Sequence, residues 1–180
     1  VTANAIFEFE SSKVDVNVGS AAWQPILATP LAERDLKDAS LITLYLQIND
    51  LFIGVPDGVG FKVDSGTLAL AMIKANADTT ADNYDATDDR SFTALTANIE
   101  GAGLTGLPDD FIVEATALYI DLNQVSSTIT PMTTALDWTS QIGVYDGSNF
   151  SSQSVVIGPP ASVIPAPADI TIDFSGDLLK

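Results

Sequence analysis

Residues 40–55, SLITLYLQINDLFIGV, alternate apolar and polar positions with period two, so Ile42, Leu44, Leu46 and Ile48 share one side of an extended chain. A strand is predicted there. After Asn49-Asp50 the apolar set changes parity to Leu51, Ile53 and Val55, which a flat strand cannot accommodate, so a bulge or corner is expected at Asn49-Asp50. Pro56-Asp57-Gly58 is a turn signal, with proline setting φ and glycine supplying a left-handed position. A second strand follows from Phe61 to Lys74, with Phe61 and Val63 in one phase and Leu68, Leu70 and Met72 in the other, placing a second corner at Ser65-Gly66.

The same grammar returns about fifty residues later. SFTALTANIEGAGLTGL holds Leu95, Ala97 and Ile99 in phase and slips at Glu100-Gly101 before Leu104 and Leu107. Aligning Gly54-Val55-Pro56-Asp57 with Gly106-Leu107-Pro108-Asp109 brings Phe61, Val63, Leu68, Leu70 and Met72 onto Phe111, Val113, Leu118, Ile120 and Leu122, with a matching flip at Ala115-Thr116. A turn, two phases and the slip between them agree together, which points to an internal duplication of 41–74 and 92–124. Joining the ends gives a third, weaker relative, because ITIDFSGDLLK would run into VTANAIFEFESSKVDVNV as one strand-rich stretch. Both ends stop inside predicted strands, so residues 1–180 are expected to be a single β-rich module and one period of a longer array.

Between the strands, Thr29-Pro30 followed by LAERDLKDAS is read as one short connecting helix, with threonine as N-cap, proline at the first position, and Leu31 and Leu36 as apolar contacts. Residues 125–134 and 147–169 are rich in Ser, Thr, Gly and Pro and are expected to be loops or extended edge segments. The fold class that follows is all-β: an elongated tandem-repeat architecture of stacked long strands, solenoid-like or a fused sandwich, with a closed antiparallel β-sandwich as the alternative.

Composition adds two constraints. The chain is 46% apolar, enough for a core, and carries seven basic against 24 acidic side chains, a formal net charge of −17. That surplus repels nucleic-acid phosphate and anionic membrane surfaces, so neither nucleic acid nor membrane insertion is expected, and it suits a soluble protein outside the cell or at its surface. With no Cys there is no disulfide framework, and with no His the Ser-His-Asp, Cys-His and usual zinc arrangements are unavailable. No apolar run is long enough for a transmembrane helix.

The remaining chemistry is carboxylate chemistry. ADTTADNYDATDDR gathers Asp78, Asp82, Asp85, Asp88 and Asp89, hard oxygen ligands of the kind calcium takes, although neither the EF-hand order nor the glycine-rich RTX nonapeptide is present. A solvated hairpin tip is the competing reading. Asp88-Asp89 and Asp109-Asp110 are formal acid pairs for glycoside hydrolysis, but sequence neighbours on a strand face opposite ways, so no catalytic residue is assigned and no enzyme activity is expected. Asp50, Asp57 and Asp109 are read as turn formers. Trp23, Trp138, Tyr45, Tyr84 and Tyr119 are scattered and are taken as packing or surface residues rather than a glycan platform. Asn149-Phe150-Ser151 meets the N-glycosylation pattern.

FIGVPDGVGFKVDSGTLALAMI and LTGLPDDFIVEATALYIDL resemble the tandem β-rich repeats of giant bacterial surface and secreted adhesin-like proteins of the RTX-adhesin kind, and DFSGDLL is similar to a joint between such repeats. The resemblance implies export, β-rich modules in series, often calcium, and a role in surface fibres or matrix, or as an adhesin module holding a surface glycan or protein partner. A secreted polysaccharide-active β-helix enzyme is the remaining alternative. The expected partner is a copy of the same chain, joined head to tail, with ITIDFSGDLLK of one continuing into or pairing beside AIFEFESS of the next.

Overall fold

The computed structural model describes residues 2–19, 23, 30, 33–56, 58–75, 84–108, 112–128, 134–176 and 178–179, the last two by backbone alone. Ten strands are described and no helix: β1 (Thr2–Val16), β2 (Leu36–Gly54), β3 (Gly60–Lys74), β4 (Ser91–Thr105), β5 (Val113–Ser126), β6 (Ile142–Tyr145), β7 (Phe150–Ser152), β8 (Val155–Ile157), β9 (Ile170–Ile172) and β10 (Leu178–Leu179). Eight form one antiparallel sheet in the order β10-β5-β4-β3-β2-β1-β6-β7, and β8-β9 form a second, small sheet. The protein is all-β, as the alternation predicts. Segments 41–74 and 92–124 fall on the hairpins β2-β3 and β4-β5, which lie side by side in one sheet.

The central five strands form a meander of 14 to 19 residues each. At about 3.3 Å per residue the longest spans about 60 Å. The four parity slips in the sequence fall on one line across the sheet. Asn49 pairs with Ser65, Ser65 with Glu100 and Glu100 with Ala117, and beyond them Leu51, Val63, Ala102 and Ala115 are again in register. On the line itself stand Asp50 with φ of 55° and Gly101 with φ of 62°. The expected corners are therefore one transverse crease in continuous strands.

The expected helix is corrected over its described part. Glu33 closes a turn onto the Pro30 carbonyl, and LKDAS is the first stretch of β2. Leu36 and Ala39 are both buried at a spacing of three because β2 bulges between them: Val14 pairs with Ala39 and Val16 with Leu36, so Lys37 and Asp38 stand opposite Asp15 alone. Asp38 has φ of 55°, and its N–H donates to the Asp15 carboxylate at 2.8 Å, which pins the bulge. A three-residue apolar spacing made by a bulge looks, in sequence, like a helical one.

The core lies on one face of the sheet, toward the end where β6 to β9 gather. Val155, Ile157 and Ile172 of the small sheet, with Leu136, Trp138 and Ile142, pack against Leu41, Tyr45, Ala69, Ala71, Ile73, Phe92 and Ala94. Residues 147–169, read from composition as loop or edge, thus supply β7, the outer strand of the main sheet, and β8, which is core. Farther along the same face the cover ends and the residues become polar: Tyr45, Gln47 and Asn49 are hydrogen-bonded in a row, Asn98 donates to Glu100, and Thr96 to Asp121 at 2.8 Å.

Candidate functional site

The opposite face carries the apolar phase that dominates the sequence. The strand register arranges it in rows across five strands: Ser11-Ile42-Met72-Thr93-Gln124, then Phe9-Leu44-Leu70-Leu95-Leu122, then Phe7-Leu46-Leu68-Ala97-Ile120, then Ala5-Ile48-Gly66-Ile99-Leu118. These are the residues a sequence reader assigns to a core. The elements that pack on the sheet, β8 and β9, lie on the other side. Phe7, Phe9 and Leu118 are 60, 55 and 47% exposed, and the large apolar side chains between them are only half-buried, by one another. Natural soluble surfaces seldom leave so wide an apolar patch without a use for it.

Charge borders this face at both ends of its rows. At the basal end is Lys13-Ser40-Lys74-Ser91-Ser126, and at the crease are Asp50 and Asp64. Lys62 reaches Asp64 at 2.5 Å from beyond the crease, and that hydrogen bond, with the charge of Asp64, raises the lysine pKa.

Two strand edges are also open over much of their length. Outside β1, β6 pairs with Asp15 and Val16, and outside β5, β10 pairs with Leu122 and Asn123. Residues 2–14 and 113–121 therefore have no outer strand among the described residues. AIFEFESS lies on the first of these edges. ITIDFSGDLLK is divided inside the chain, Ile170–Ile172 pairing with β8 and Leu178–Leu179 with β5. Both of its strands thus have partners within the chain, and the second open edge is that of β5.

The acidic loop folds differently from a metal cage where it is described. Asp85 accepts from Arg34 at 2.6 Å and from the N–H and hydroxyl of Thr87. These bonds, the Thr87 hydroxyl foremost, lower its pKa to about 2. Asp88 takes the fork of Arg90, Nε and Nη2 each at 2.8 Å, and Arg90 is fully buried and donates again to the Arg34 carbonyl. Asp89 accepts from the Ser127 hydroxyl and from the N–H and hydroxyl of Thr128. All six carboxylate oxygens thus accept a protein hydrogen bond, and two of the three carboxylates face an arginine, which a cation would have to displace. Among the described residues no three acidic groups come together as a metal site. Asp78, Asp82, Asp57, Asp109 and Asp110 lie outside the described residues.

A broad cleft of about 690 Å³ is lined by Asn17, Thr134, Asp137, Ser140, Gln141 and Gly176. Asp137, the carboxylate among its described lining residues, has its pKa lowered chiefly by the Thr139 hydroxyl. A second cleft, of about 150 Å³, brings Glu8, Glu10 and Asp169 around Tyr45, whose phenol pKa is raised by burial and by the charge of Asp169. It is about half the smallest usual ligand pocket. Trp23 lies flat on Tyr145 and Phe150, with ring centroids 4.8 and 5.5 Å away, so one indole face is spent on packing. Tyr45 and Trp138 are buried, Tyr119 is exposed, and Asn149 stands at the exposed tip of the β6-β7 hairpin. Among the described residues no helix is long and apolar enough to cross a membrane. The chain matches no protein-family model, no curated protein and no solved structure.

Proposed function

We propose that this chain is a structural module of the cell exterior that works by joining copies of itself into an extended array rather than by turning over a substrate. The observation that carries the reading is the pair of open strand edges on opposite sides of one sheet. An unpaired edge is a row of backbone donors and acceptors that templates another strand. The two edges are different surfaces, so pairing the β5 edge of one copy with the β1 edge of the next is heterologous and generates an open line instead of a closed dimer. Four antiparallel steps separate β1 from β5, so both run the same way, and copies related by translation meet as a parallel pair. The likeness of the turns to secreted adhesin-like repeats supports the same reading. In such an array the tandem-repeat character lies between copies as well as between the two hairpins within one.

Small-angle scattering and electron microscopy of the purified chain test this. Linear multimers that lengthen with concentration are expected, and a synthetic AIFEFESS peptide, by capping the β5 edge, should shorten them. A particle that stays at one compact size at every concentration refutes the array.

A further inference from the structure

We infer that a second copy of the same chain covers the open apolar face of the sheet, packing face to face with its strands reversed. The inference rests on the assembly reading above and adds a surface that the edges do not use. Five strands about 4.8 Å apart and four rows about 6.8 Å apart give a patch of about 24 by 27 Å. That is about 650 Å² a copy and about 1,300 Å² in all, within the range of specific interfaces. The rows hold leucine, isoleucine, phenylalanine, alanine and methionine, with Ser11, Thr93 and Gln124 in the row nearest the base and no charged side chain among them. Two such sheets stack about 10 Å apart with their side chains interdigitated.

The borders choose the orientation. A two-fold axis along the strands sets each lysine row against itself, whereas an axis across the strands sets the lysine row of one copy against the aspartate row of the other. The patch has four uncharged rows between its two charged borders, so an axis through its middle aligns both borders at once. It brings Lys74 opposite Asp64 of the partner subunit, both being on β3. Asp64 already holds Lys62, but Asp50 stands in the same border and keeps it net negative. Complementary borders of this kind fix register and exclude the like-charged alternative. The product is a sandwich whose apolar filling comes from both chains.

Sedimentation equilibrium of the full chain is the test. Wild type is expected to dimerise at micromolar concentration. Leu70→Glu and Leu95→Glu, whose side chains leave the sheet on the open face, should each weaken the dimer by at least about 100-fold while the far-ultraviolet circular dichroism is unchanged. Lys74→Asp should weaken it by about tenfold, and adding Asp64→Lys to the same chain should restore it. Dimers that survive both glutamate variants place the contact elsewhere and overturn the inference, as does a wild-type chain that stays monomeric or that binds phosphatidylcholine vesicles through this face instead. Failure of the double reversal to restore association overturns the reversed orientation. Linear multimers with the same mass per unit length in wild type and in the Leu70→Glu variant would sink the face contact and leave the edge array standing. A discrete dimer that never lengthens does the opposite.

Discussion

Asn123 ties the chain's end to its sheet through one side chain. Its amide donates to the Leu136 and Gly176 carbonyls and accepts from the Trp138 indole, each at 2.8 Å, in a fully buried position. Asn123→Leu keeps the volume and strands all three partners, each costing about 1 kcal/mol or more, so urea denaturation should register a loss of about 3 kcal/mol. Asp85 offers a pH test. Its folded pKa, about 2, lies below the ordinary value of 3.8, so its contribution is fully present above pH 4 and is lost as pH falls toward 2. Asp85→Asn should therefore be less stable than wild type at pH 7, with the gap closing between pH 4 and pH 2 and absent below. Denaturation curves for the two proteins across that range decide it; a gap that does not change with pH refutes the assignment. Neither role was legible in sequence. Asn123 looks like a polar interruption in an apolar strand, and its partners lie 13, 15 and 53 residues away.

At the scale of elements, alternation located the five long strands and the slips located the crease, because both are local consequences of side chains that alternate across a strand. Alternation could not say which face would be covered. The covered face sets the small residues Thr43, Ala69, Ala71 and Ala94 among Leu41, Tyr45, Ile73 and Phe92, while the more regular bulky phase faces away from the cover. What covers the sheet, residues 135–172, is short strand and loop with little period to detect, and β8 is three residues long. The crease itself makes a prediction. At Gly101 the positive φ already costs an L-residue about 1 kcal/mol, and a methyl group there would overlap the Asp64 carboxylate. Gly101→Ala is expected to cost about 2 to 3 kcal/mol by thermal or urea denaturation. Gly147→Ala, with φ of 97° and open space around it, should cost about 1 kcal/mol. Equal losses at the two sites would mean that the crease does not depend on that close approach.

For the whole molecule, charge opposes assembly. Both arginines are buried at the base, so the exposed positive charge is lysine alone against a net −17, and the open edges carry Glu8, Glu10, Glu114 and Asp121. Repulsion between such copies is screened over about 10 Å at 0.1 M salt. Light scattering should show longer multimers as sodium chloride rises, and longer still with calcium at matched ionic strength, reversed by chelator, because a divalent ion can bridge carboxylates of two copies. Multimers that shorten in salt would mean that attraction between charges, not their repulsion, governs growth.

The length of the strands also decides how the protein bears load. β1 begins beside Phe52, near the far hairpin tip, and runs back to the base, where β10 joins β5. Tension applied between β1 and β10 therefore pulls β1 lengthwise along β2. Their hydrogen bonds lie across the direction of pull and must yield together, whereas drawing Val16 away from Leu36 would part the same two strands one bond at a time. Single-molecule pulling through residues 2 and 179 should give a markedly higher rupture force than pulling through residues 16 and 36. Similar forces in the two directions would mean that the long ladder is not what carries the strain.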